Sequence, residues 1–506
     1  MNYLLGIDLG TTGLKVSLFA EDGSLTGSQA FEYPLLTPQA GYVEQDPEVW
    51  WQGFMGAIQR LRTALPEPFD CIVGIGLCGQ MHTQVYLDEN ERILRPAITW
   101  MDQRSSEIVA RIQDDPASWE MLYQETANYP STTYTALHLK WVQENEPDVW
   151  HRTRSVLVAK DYLKYRLTGV KAIDYAEASG TLLFDVRNER WSTAAFDYFG
   201  ISPDLFPAVG PSDEIIGSIT TQVAQETGLK QGTPVVNGSS DNSASALGAG
   251  MARSGQVTLI IGTAGVVTVC SDRPLLDPAG RTLCWHYCLP DHWVTLGITQ
   301  TAGESLQWFK NAFDSQDTAQ SDSGDIFNRY NQDIAQIPDG SGGVIFLPYL
   351  NGERTPYWDS SARGVFFGLN LGTEKAHMIK AIMEGVSFAL RNNIETIEAL
   401  GIQIDEVRAV GGGLKSPVWL QTLGRILKKP IATVNIPDTA NLGNILLCGK
   451  ALGLVSSYQQ SVERMVAPEQ VVHYPEGSSV YEKQYSLFLE LFPQLQPLYR
   501  KALEKG

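Results

Sequence analysis

Cysteine is scarce in this sequence, with six in 506 residues, and the six lack the paired spacing of a disulfide-rich secreted domain. We therefore expect free thiols and a cytoplasmic location. No uninterrupted apolar run reaches about 18 residues, so a membrane-spanning helix is not expected. Residues 1–10 have no basic flank and contain Asp8, which predicts a buried strand rather than a secretory signal.

Positive charge is also scarce. Lys and Arg number 38 against 57 Asp and Glu, which gives a formal net charge of −19 at pH 7. The basic residues are scattered, and an acidic chain without a basic patch repels nucleic acid and anionic membranes. We therefore expect neither as a partner. The 43% hydrophobic and 19% charged content is that of a globular protein, and the length suggests two or three domains.

One short segment has metal-binding residue types close together. It contains Cys284, His286 and Cys288, which would share one face of a strand. His292 is near, but no second pair with zinc-like spacing follows. A structural strand is therefore the favoured interpretation, with a metal site as the alternative.

The sequence opens with two apolar stretches, residues 3–9 and 14–19, separated by a Gly-Thr-Thr-Gly turn at 10–13. This pattern predicts strand, turn and strand. P-loops and dinucleotide-binding fingerprints need a helix directly after the glycine-rich turn, so both are excluded.

The same pattern returns in the second half, with strands at 257–261 and 266–270 around a turn at 262–265. One such unit in each half predicts two related α/β domains of about equal size that face a common cleft. We place the domains at residues 1–245 and 246–506.

Other segments predict the elements between these units. Asp46 and Pro47 indicate a helix start, residues 71–78 a buried strand, and 103–195 mainly helices and loops. Further helices are expected at 244–250, from Pro417, and from Tyr481 to the end of the chain.

The two Gly-Thr turns could offer backbone N–H groups and hydroxyls to phosphate oxygens, although most such turns are ordinary hairpins. Asp8, just before the first turn, could cap that turn or hold a hydrated Mg²⁺. Asp241 follows a second apolar unit and could be a helix N-cap or a general base for phosphoryl transfer. On the residues alone, both interpretations of each aspartate stay open.

Two further segments suit a ligand with many hydroxyl groups, because they combine apolar walls with polar groups. They are Met81-His82 and the stretch 100–104, each of which would by itself be ordinary core or loop. The triple glycine at 411–413 could let a flat base approach the backbone, or could be a simple strand-to-helix turn.

These residues, taken in order, resemble the FGGY family of carbohydrate kinases, and within it the xylulokinases most closely. The resemblance runs from about residue 3 to about residue 455. Its motifs are Gly6-Ile7-Asp8-Leu9-Gly10-Thr11-Thr12, Gly79-Gln80-Met81-His82, Trp100-Met101-Asp102-Gln103-Arg104, Asp241-Asn242, Gly262-Thr263, Gly352-Glu353-Arg354-Thr355-Pro356, Gly364 to Leu369, and His377 to Glu384.

The resemblance implies an α/β, actin-like ATPase (ribonuclease H-like) fold whose two domains close over a cleft. It implies ATP- and Mg²⁺-dependent phosphorylation of a terminal hydroxyl of a ketopentose, most similar to the conversion of D-xylulose to D-xylulose 5-phosphate. Asp241 would be the general base, and Asp8 would act near Mg²⁺, through water. The implied sugar-binding residues are Met81, His82, Trp100, Asp102 and Asn242. The implied ATP-binding residues are Gly10, Thr11, Thr12, Lys15, Gly262, Thr263, Gly411, Gly412 and Gly413.

Three positions depart from the family pattern. Thr83 stands where xylulokinases usually have glycine, and we expect its bulk and hydroxyl beside the sugar to change the substrate. His138 precedes Leu139-Lys140-Trp141, where the family has lysine. Residues 443–448 are bulkier than the small-residue helix of many relatives, and we expect them to alter packing on the nucleotide side.

The alternatives are a kinase for another sugar or polyol, such as ribulose or gluconate, and a non-catalytic relative of the same fold. The presence of both Asp8 and Asp241 argues against the second. Glycerol kinases lack the Met-His pair, and an Hsp70-like binding protein would need a peptide-binding domain after the second half. The resemblance is compatible with a homodimer. The sequence does not determine the sugar, the oligomeric state or any regulation.

Overall fold

The computed structural model describes residues 1–314, 323–434, 436–472 and 478–503. Its strands are β1 (Tyr3–Leu9), β2 (Gly13–Ala20), β3 (Leu25–Glu32), β4 (Glu44–Gln45), β5 (Ile72–Gly79), β6 (Gln84–Leu87), β7 (Ala97–Ile98), β8 (Ser155–Val158), β9 (Ile173–Asp174), β10 (Phe184–Asp185), β11 (Arg190–Trp191), β12 (Val209–Gly210), β13 (Ile215–Ser218), β14 (Pro234–Val236), β15 (Ser239–Ser240), β16 (Gln256–Ile261), β17 (Gly265–Ser271), β18 (Leu283–His286), β19 (Trp293–Thr299), β20 (Ile345–Leu347), β21 (Val365–Phe367), β22 (Glu406–Val410), β23 (Ile431–Thr433) and β24 (Gln470–Val472).

Its α-helices are α1 (Pro47–Ala64), α2 (Pro66–Asp70), α3 (Ser106–Gln113), α4 (Pro116–Thr126), α5 (Thr135–Asn145), α6 (Pro147–Arg152), α7 (Ala159–Thr168), α8 (Tyr175–Ser179), α9 (Thr193–Phe199), α10 (Thr221–Thr227), α11 (Asp241–Gly248), α12 (Gly303–Phe313), α13 (Ser323–Ile334), α14 (Lys375–Glu398), α15 (Pro417–Leu427), α16 (Thr439–Ala451), α17 (Tyr458–Met465) and α18 (Ser479–Leu503). The α/β class predicted from the sequence is confirmed.

The first large sheet has the strand order β13-β14-β5-β1-β2-β3, with β15 also paired to β5. Its centre is β1, which runs antiparallel to β2 and parallel to β5. β1 is buried along nearly its whole length, which explains why its sequence is apolar without strict alternation. Asp8, near its carboxyl end, is the one acidic residue in this strand.

The second large sheet has the order β18-β19-β17-β16-β22-β23-β24. Its central strand β16 is antiparallel to β17 and parallel to β22, which repeats the relation of β1 to β2 and β5. The strand–turn–strand unit predicted in each half is thus present in both, at the centre of each sheet.

Helix α16 comes from the second half of the chain but packs against β1 and β5 of the first sheet and against α11. A Cβ added to Gly443 would lie 2.0 Å from the backbone oxygen of Ala244, so glycine is needed where α16 and α11 meet. Asn444 donates a hydrogen bond from Nδ2 to the oxygen of Ile7 (2.9 Å). The expectation that residues 443–448 pack beside the nucleotide is therefore wrong. These residues belong to α16, which packs against α11, β1 and β5 and so joins the two halves of the chain.

The predicted helix boundaries hold to within a few residues. α1 begins at Pro47, and the side chain of Asp46 caps it by accepting from the N–H of Glu48 (3.0 Å). The C-terminal helix starts at Ser479, two residues before the predicted start. The small-residue helix starts at Asp241 rather than at residue 244.

All six cysteines are free thiols. Cys284 and His286 lie on β18, as the strand interpretation predicts, and Cys288 lies just beyond its end. Among the described residues, no group of three or more His, Cys, Asp or Glu is placed to hold a metal. His286 instead contacts the backbone oxygen of Tyr287 (2.6 Å) and Glu189 (3.0 Å). In the described parts of the chain, no helix combines the length and apolar character needed to cross a bilayer.

Candidate active site

Two carboxylates lie at the same edge of the first sheet. Asp8 is opposite Cys78 in the parallel pairing of β1 with β5. Ser239 is opposite the same Cys78 in the parallel pairing of β15 with β5, and Asp241 begins α11 directly after β15. The thiol of Cys78 donates to Oδ1 of Asp8 at 3.5 Å. Both aspartates therefore lie at the carboxyl ends of neighbouring parallel strands, where ligands bind in open α/β sheets.

Burial and nearby negative charge raise the pKa values of both aspartates. Burial, and then repulsion from Asp438, raises the pKa of Asp8 to about 6. Burial, and then repulsion from Asp8, raises the pKa of Asp241 to about 7. Lys15, opposite Asp8 on β2, pairs with Asp438 at 3.2 Å. The site thus holds more negative than positive charge, and a carboxylate set of this kind fits a hydrated Mg²⁺, which takes only one or two protein carboxylates.

Asp241 is not the N-cap of α11. That role belongs to Ser240, whose hydroxyl accepts from the N–H of Ser243 at 3.3 Å. Oδ1 of Asp241 accepts from the N–H of Asn242 at 2.7 Å. The capping interpretation is therefore wrong, and the carboxylate is partly exposed in the first turn of the helix.

Side chains from outside β1 and β2 bond to the first Gly-Thr turn. The hydroxyl of Tyr33 donates to the oxygen of Gly10 (2.5 Å), and Nε2 of Gln45 donates to the oxygen of Thr11 (2.6 Å). The indole of Trp100 donates to the hydroxyl of Thr11 (2.9 Å). Thr12 is exposed at the end of this turn.

A cavity of about 570 Å³ opens beside the second Gly-Thr turn. Gly262, Thr263, Gly412 and Gly413 all line it, as the resemblance implies for an ATP site. The other lining residues are Ile261, Gly303, Glu304, Leu306, Gln307, Phe327, Asn328, Asn331, Met383, Lys415, Ser416 and Trp419. Its volume lies in the range usual for small-molecule sites. Gly411 lines a neighbouring cavity of about 810 Å³.

Met81 and His82 follow β5 closely in the chain. His82 is buried and has a left-handed backbone, with φ of 67°. Its ring packs edge-on against Tyr134 (5.1 Å between centroids) and Trp285 (6.1 Å). Oδ1 of Asn128 fixes both neighbours, because it accepts from the hydroxyl of Tyr134 and the indole of Trp285. Burial lowers the pKa of His82 to about 4, so the imidazole is neutral at physiological pH.

Asp102 has a different role from the predicted one. Its side chain has no exposed surface, and both oxygens are occupied, by the guanidinium of Arg104 (2.8 Å to each) and the N–H of Val43 (2.6 Å). The predicted contact of Asp102 with the sugar is therefore corrected: Asp102 supports the loop that carries Trp100.

Thr83 also differs from expectation. It is fully buried, and its hydroxyl donates to Oε1 of Gln80 (3.1 Å) and accepts from the backbone N–H of Trp100 (3.3 Å). Its bulk therefore does not lie against a sugar in the cleft, so the expected change of substrate loses its physical basis. His138, the second departure, is buried on α5 with Nδ1 3.4 Å from Oε1 of Gln84.

Several residues near the site were missed by the sequence reasoning. Lys160 and Lys164 on α7 are fully buried, and both ammonium groups contact Asp161 and the backbone oxygen of Asn237. Glu177 on α8 is fully buried, and burial raises its pKa well above the usual value. Two lysines four residues apart are a weak signal, because such pairs mostly lie on exposed helix faces.

The sequence predicted no individual role for Arg354, which belongs to the family motif at residues 352–356. Its charge perturbs the pKa values of His82 and Tyr134, which places it on the sugar side of the cleft. Its neighbour Glu353 is buried, with a pKa raised by burial to about 8. The raised pKa of Glu353 reduces the negative charge beside the Arg354 guanidinium at neutral pH.

Comparison with known proteins gives a consistent result. The profile of the N-terminal domain of the FGGY family of carbohydrate kinases matches residues 3–248, and that of the C-terminal domain matches residues 257–452. The xylulose kinase of Bacillus subtilis is 33% identical over 500 residues, which cover 98% of each chain. The gluconokinase of the same organism is 30% identical over 507 residues, covering 99% of this chain and 98% of the relative.

A solved structure of ligand-bound xylulose kinase from Lactobacillus acidophilus superposes with a TM-score of 0.91 at 26% identity, covering 99% of this chain and 100% of the other. The two-domain, actin-like ATPase fold expected from the sequence is thereby confirmed. The expected activity, that of a carbohydrate kinase acting on ATP and a small-molecule sugar, is confirmed as well. With both domain profiles in order and relatives matched over their full length, this chain belongs to the FGGY family of carbohydrate kinases.

Proposed function

We propose that this kinase phosphorylates the terminal hydroxyl of D-xylulose, with ATP as the donor and Mg²⁺ as the metal, and gives D-xylulose 5-phosphate. The observation that carries the chemistry is the position of Asp241, beside Asp8 and at the start of α11. A pKa of about 7 suits a general base at physiological pH, because half or more of the carboxylate is ionised and still basic.

In this proposal each side of the cleft supplies a different part of the reaction. Asp241 accepts the proton of the attacking hydroxyl, and Asp8 holds the hydrated metal. Mg²⁺, when bound, neutralises charge on the transferred phosphoryl group. Gly262 and Thr263 approach the phosphates, Gly412 and Gly413 border the nucleoside, and the Gly10 to Thr12 turn meets the phosphates from the opposite side. Domain closure would exclude water as a competing acceptor.

The sugar side supports an uncharged acceptor. His82 is neutral and sits among aromatic rings that Asn128 fixes, so this part of the sugar side carries no charge, which suits an uncharged acceptor. Full-length similarity to xylulose kinases agrees with a ketopentose.

Arg354 favours a second candidate, gluconate. A guanidinium on the sugar side, beside a carboxyl group whose pKa is raised, would pair with the carboxylate of an aldonate. A relative named gluconokinase matches almost the whole chain.

A turnover assay that couples ADP release to a detected signal distinguishes the two candidates. D-xylulose, D-ribulose, D-gluconate and glycerol are compared at equal concentration with saturating ATP and Mg²⁺. We expect the highest kcat/KM with D-xylulose. A higher value with D-gluconate that Arg354→Met abolishes would replace the proposal with the second candidate, and no turnover of any acceptor would contradict both.

A further inference from the structure

A closed ring of hydrogen bonds joins the phosphate turn to the loops on the sugar side. Trp100 donates from its indole to the hydroxyl of Thr11 (2.9 Å), and from its backbone to the hydroxyl of Thr83 (3.3 Å). Thr83 donates to Oε1 of Gln80 (3.1 Å), and Nε2 of Gln80 donates to Oε1 of Gln45 (2.8 Å). Nε2 of Gln45 closes the ring on the backbone oxygen of Thr11 (2.6 Å). We call these residues the five-residue ring.

Four features make this ring more than a set of surface contacts. Gln45, Gln80 and Thr83 are all at most 1% exposed, so water does not compete for their bonds. Each of the two glutamine side chains uses both its oxygen and its nitrogen within the ring, which fixes its orientation. Thr83 links the loop after β5 to the loop that carries Trp100, because its hydroxyl donates to Gln80 and accepts from the backbone of Trp100. Only Trp100 is substantially exposed, at 39%.

The ring contains a residue that the family pattern does not. Thr83 stands where the resemblance places glycine, and a glycine has no hydroxyl to bond Gln80 and Trp100. The closed ring therefore depends on the Thr83 hydroxyl, which bonds Gln80 and Trp100 rather than a sugar.

We propose that Thr83 is a positioning residue that couples sugar binding to the phosphate turn through the five-residue ring. A sugar that binds beside Met81 and His82, directly before Thr83, would stabilise the arrangement in which all five bonds of the ring are formed. The closed ring holds Thr11 in place, so a nucleotide then binds to a turn that is already fixed. By linkage, the nucleotide must tighten sugar binding by the same factor. This inference rests on the proposed function for the sugar beside Met81 and His82 and for the phosphates at the Gly10 to Thr12 turn, but not for the identity of the sugar.

The test measures the dissociation constant of the sugar by isothermal titration calorimetry, with and without the non-hydrolysable analogue AMP-PNP and Mg²⁺. The sugar is D-xylulose or, if the turnover assay replaces it, the acceptor with the highest kcat/KM. A change of acceptor thus affects the proposed function and leaves this test intact.

We expect the nucleotide to tighten sugar binding to wild-type protein by about fivefold or more. Thr83→Val, which keeps the shape but removes the hydroxyl, should bring this ratio towards one. Thr83→Ser keeps the hydroxyl and should restore it. Thr99→Val is the matched control, because the buried hydroxyl of Thr99 bonds the oxygen of Val43 (3.1 Å), outside the ring.

A wild-type ratio of one would overturn the proposal. So would an undiminished ratio in Thr83→Val, or an equal loss in Thr99→Val, which would reveal a general effect of removing a buried hydroxyl. If Thr83→Val does not fold, Trp100→Phe decides, because it removes the indole donor to Thr11 at the exposed side of the ring. An unchanged ratio in that variant would also contradict the coupling.

Discussion

The turn after β1 and the turn after β16 occupy equivalent places in two sheets of the same topology, but they carry different chemistry. If the Gly-Thr pairs are aligned, Asp8 corresponds to Ile260, and both are partly exposed. The cross-strand partner of Asp8 is Lys15, whereas that of Ile260 is Val266. One copy of the scaffold therefore presents charge, and the other presents an apolar surface.

The surroundings of the two turns differ in the same sense. The first lies near Asp241 and Asp438, and the second beside the 570 Å³ cavity lined by glycines and Trp419. Two copies of the same strand–turn–strand unit can thus have different functions. In the proposed function, the first copy handles the metal and the proton, and the second holds the nucleotide. The net charge of −19 is compatible with this division, because ATP would meet local backbone N–H groups and a metal rather than a positive field.

The largest effect is expected for Asp241→Asn, which removes the proposed general base and nearly keeps the shape of the side chain. We expect kcat to fall by about 10²–10⁴-fold or more, since proton transfer loses its acceptor. AMP-PNP binding, measured by calorimetry, should stay within about threefold of wild type, because the nucleotide cavity belongs to the second copy. Turnover close to the wild-type rate would remove Asp241 from its proposed role.

The second test substitutes the residues at the two equivalent positions, Asp8 and Ile260, one at a time. Asp8→Asn should lower kcat by more than about tenfold and raise the Mg²⁺ concentration needed for half-maximal rate, because a carboxylate near the metal is lost. The control is Ile260→Val, which shortens the equivalent side chain by one methylene and should leave both values within about twofold. An unchanged Mg²⁺ dependence in Asp8→Asn would show that the first turn does not hold the metal.

The raised pKa of Asp241 gives a third test, in pH dependence. The base must be ionised, so we expect kcat/KM for the sugar to fall about tenfold per pH unit below a midpoint near 7. Kinetics between pH 5.5 and 9, at fixed ionic strength, would measure this midpoint. Because Asp8 contributes to the shift, Asp8→Asn should move the midpoint of its residual activity to lower pH. A midpoint below about pH 5 in wild type would contradict the assignment.

Much of this arrangement was accessible from the sequence, and the reasons are local. The apolar stretches around Asp8 and around Gly262 predicted both central strands, because a buried strand and a Gly-Thr turn leave clear signatures. Asp46 and Pro47 fixed the start of α1 for the same kind of reason.

The misplaced residues depend on contacts between distant segments. Asp102 was assigned to the sugar because its sequence position does not reveal its ion pair with Arg104 or its bond to Val43. Residues 443–448 were expected near the nucleotide, whereas α16 crosses to the first sheet, where Asn444 bonds Ile7 of β1, 437 residues away in the chain. Thr83 was expected beside the sugar, but its partner Trp100 comes from another loop.

The fourth test concerns the second copy and uses two neighbouring glycines. A Cβ at Gly412 would meet no atom within 4 Å, whereas one at Gly413 would lie 2.5 Å from Cγ2 of Ile261. Gly412→Val therefore adds bulk to the cavity without a clash, and we expect KM for ATP to rise about tenfold with Tm unchanged. Gly413→Val should instead lower Tm. Equal effects of the two variants on Tm would contradict this reading of the cavity.

The smallest expected effect is on stability, and it has the opposite sign to the effect on activity. The pKa of Asp241 is about 7 in the folded protein and 3.8 for an ordinary Asp, so folding favours the protonated form. Below pH 3.8 both states are protonated and the charge costs nothing. As pH rises towards 7, the unfolded state gains by ionising first, and wild type loses stability.

Asp241→Asn should therefore be more stable than wild type at pH 8, by about 1–2 kcal/mol, and this difference should shrink by roughly half at pH 5. The full pKa shift would correspond to about 4 kcal/mol, but water at the partly exposed carboxylate screens it. Urea unfolding without Mg²⁺ at pH 5 and pH 8 measures this difference. For the control variant Ile260→Val, the difference in stability from wild type should be the same at both pH values. An Asn variant that is less stable at pH 8 would mean that the carboxylate holds the fold together, and that the charge of the first copy is structural rather than catalytic.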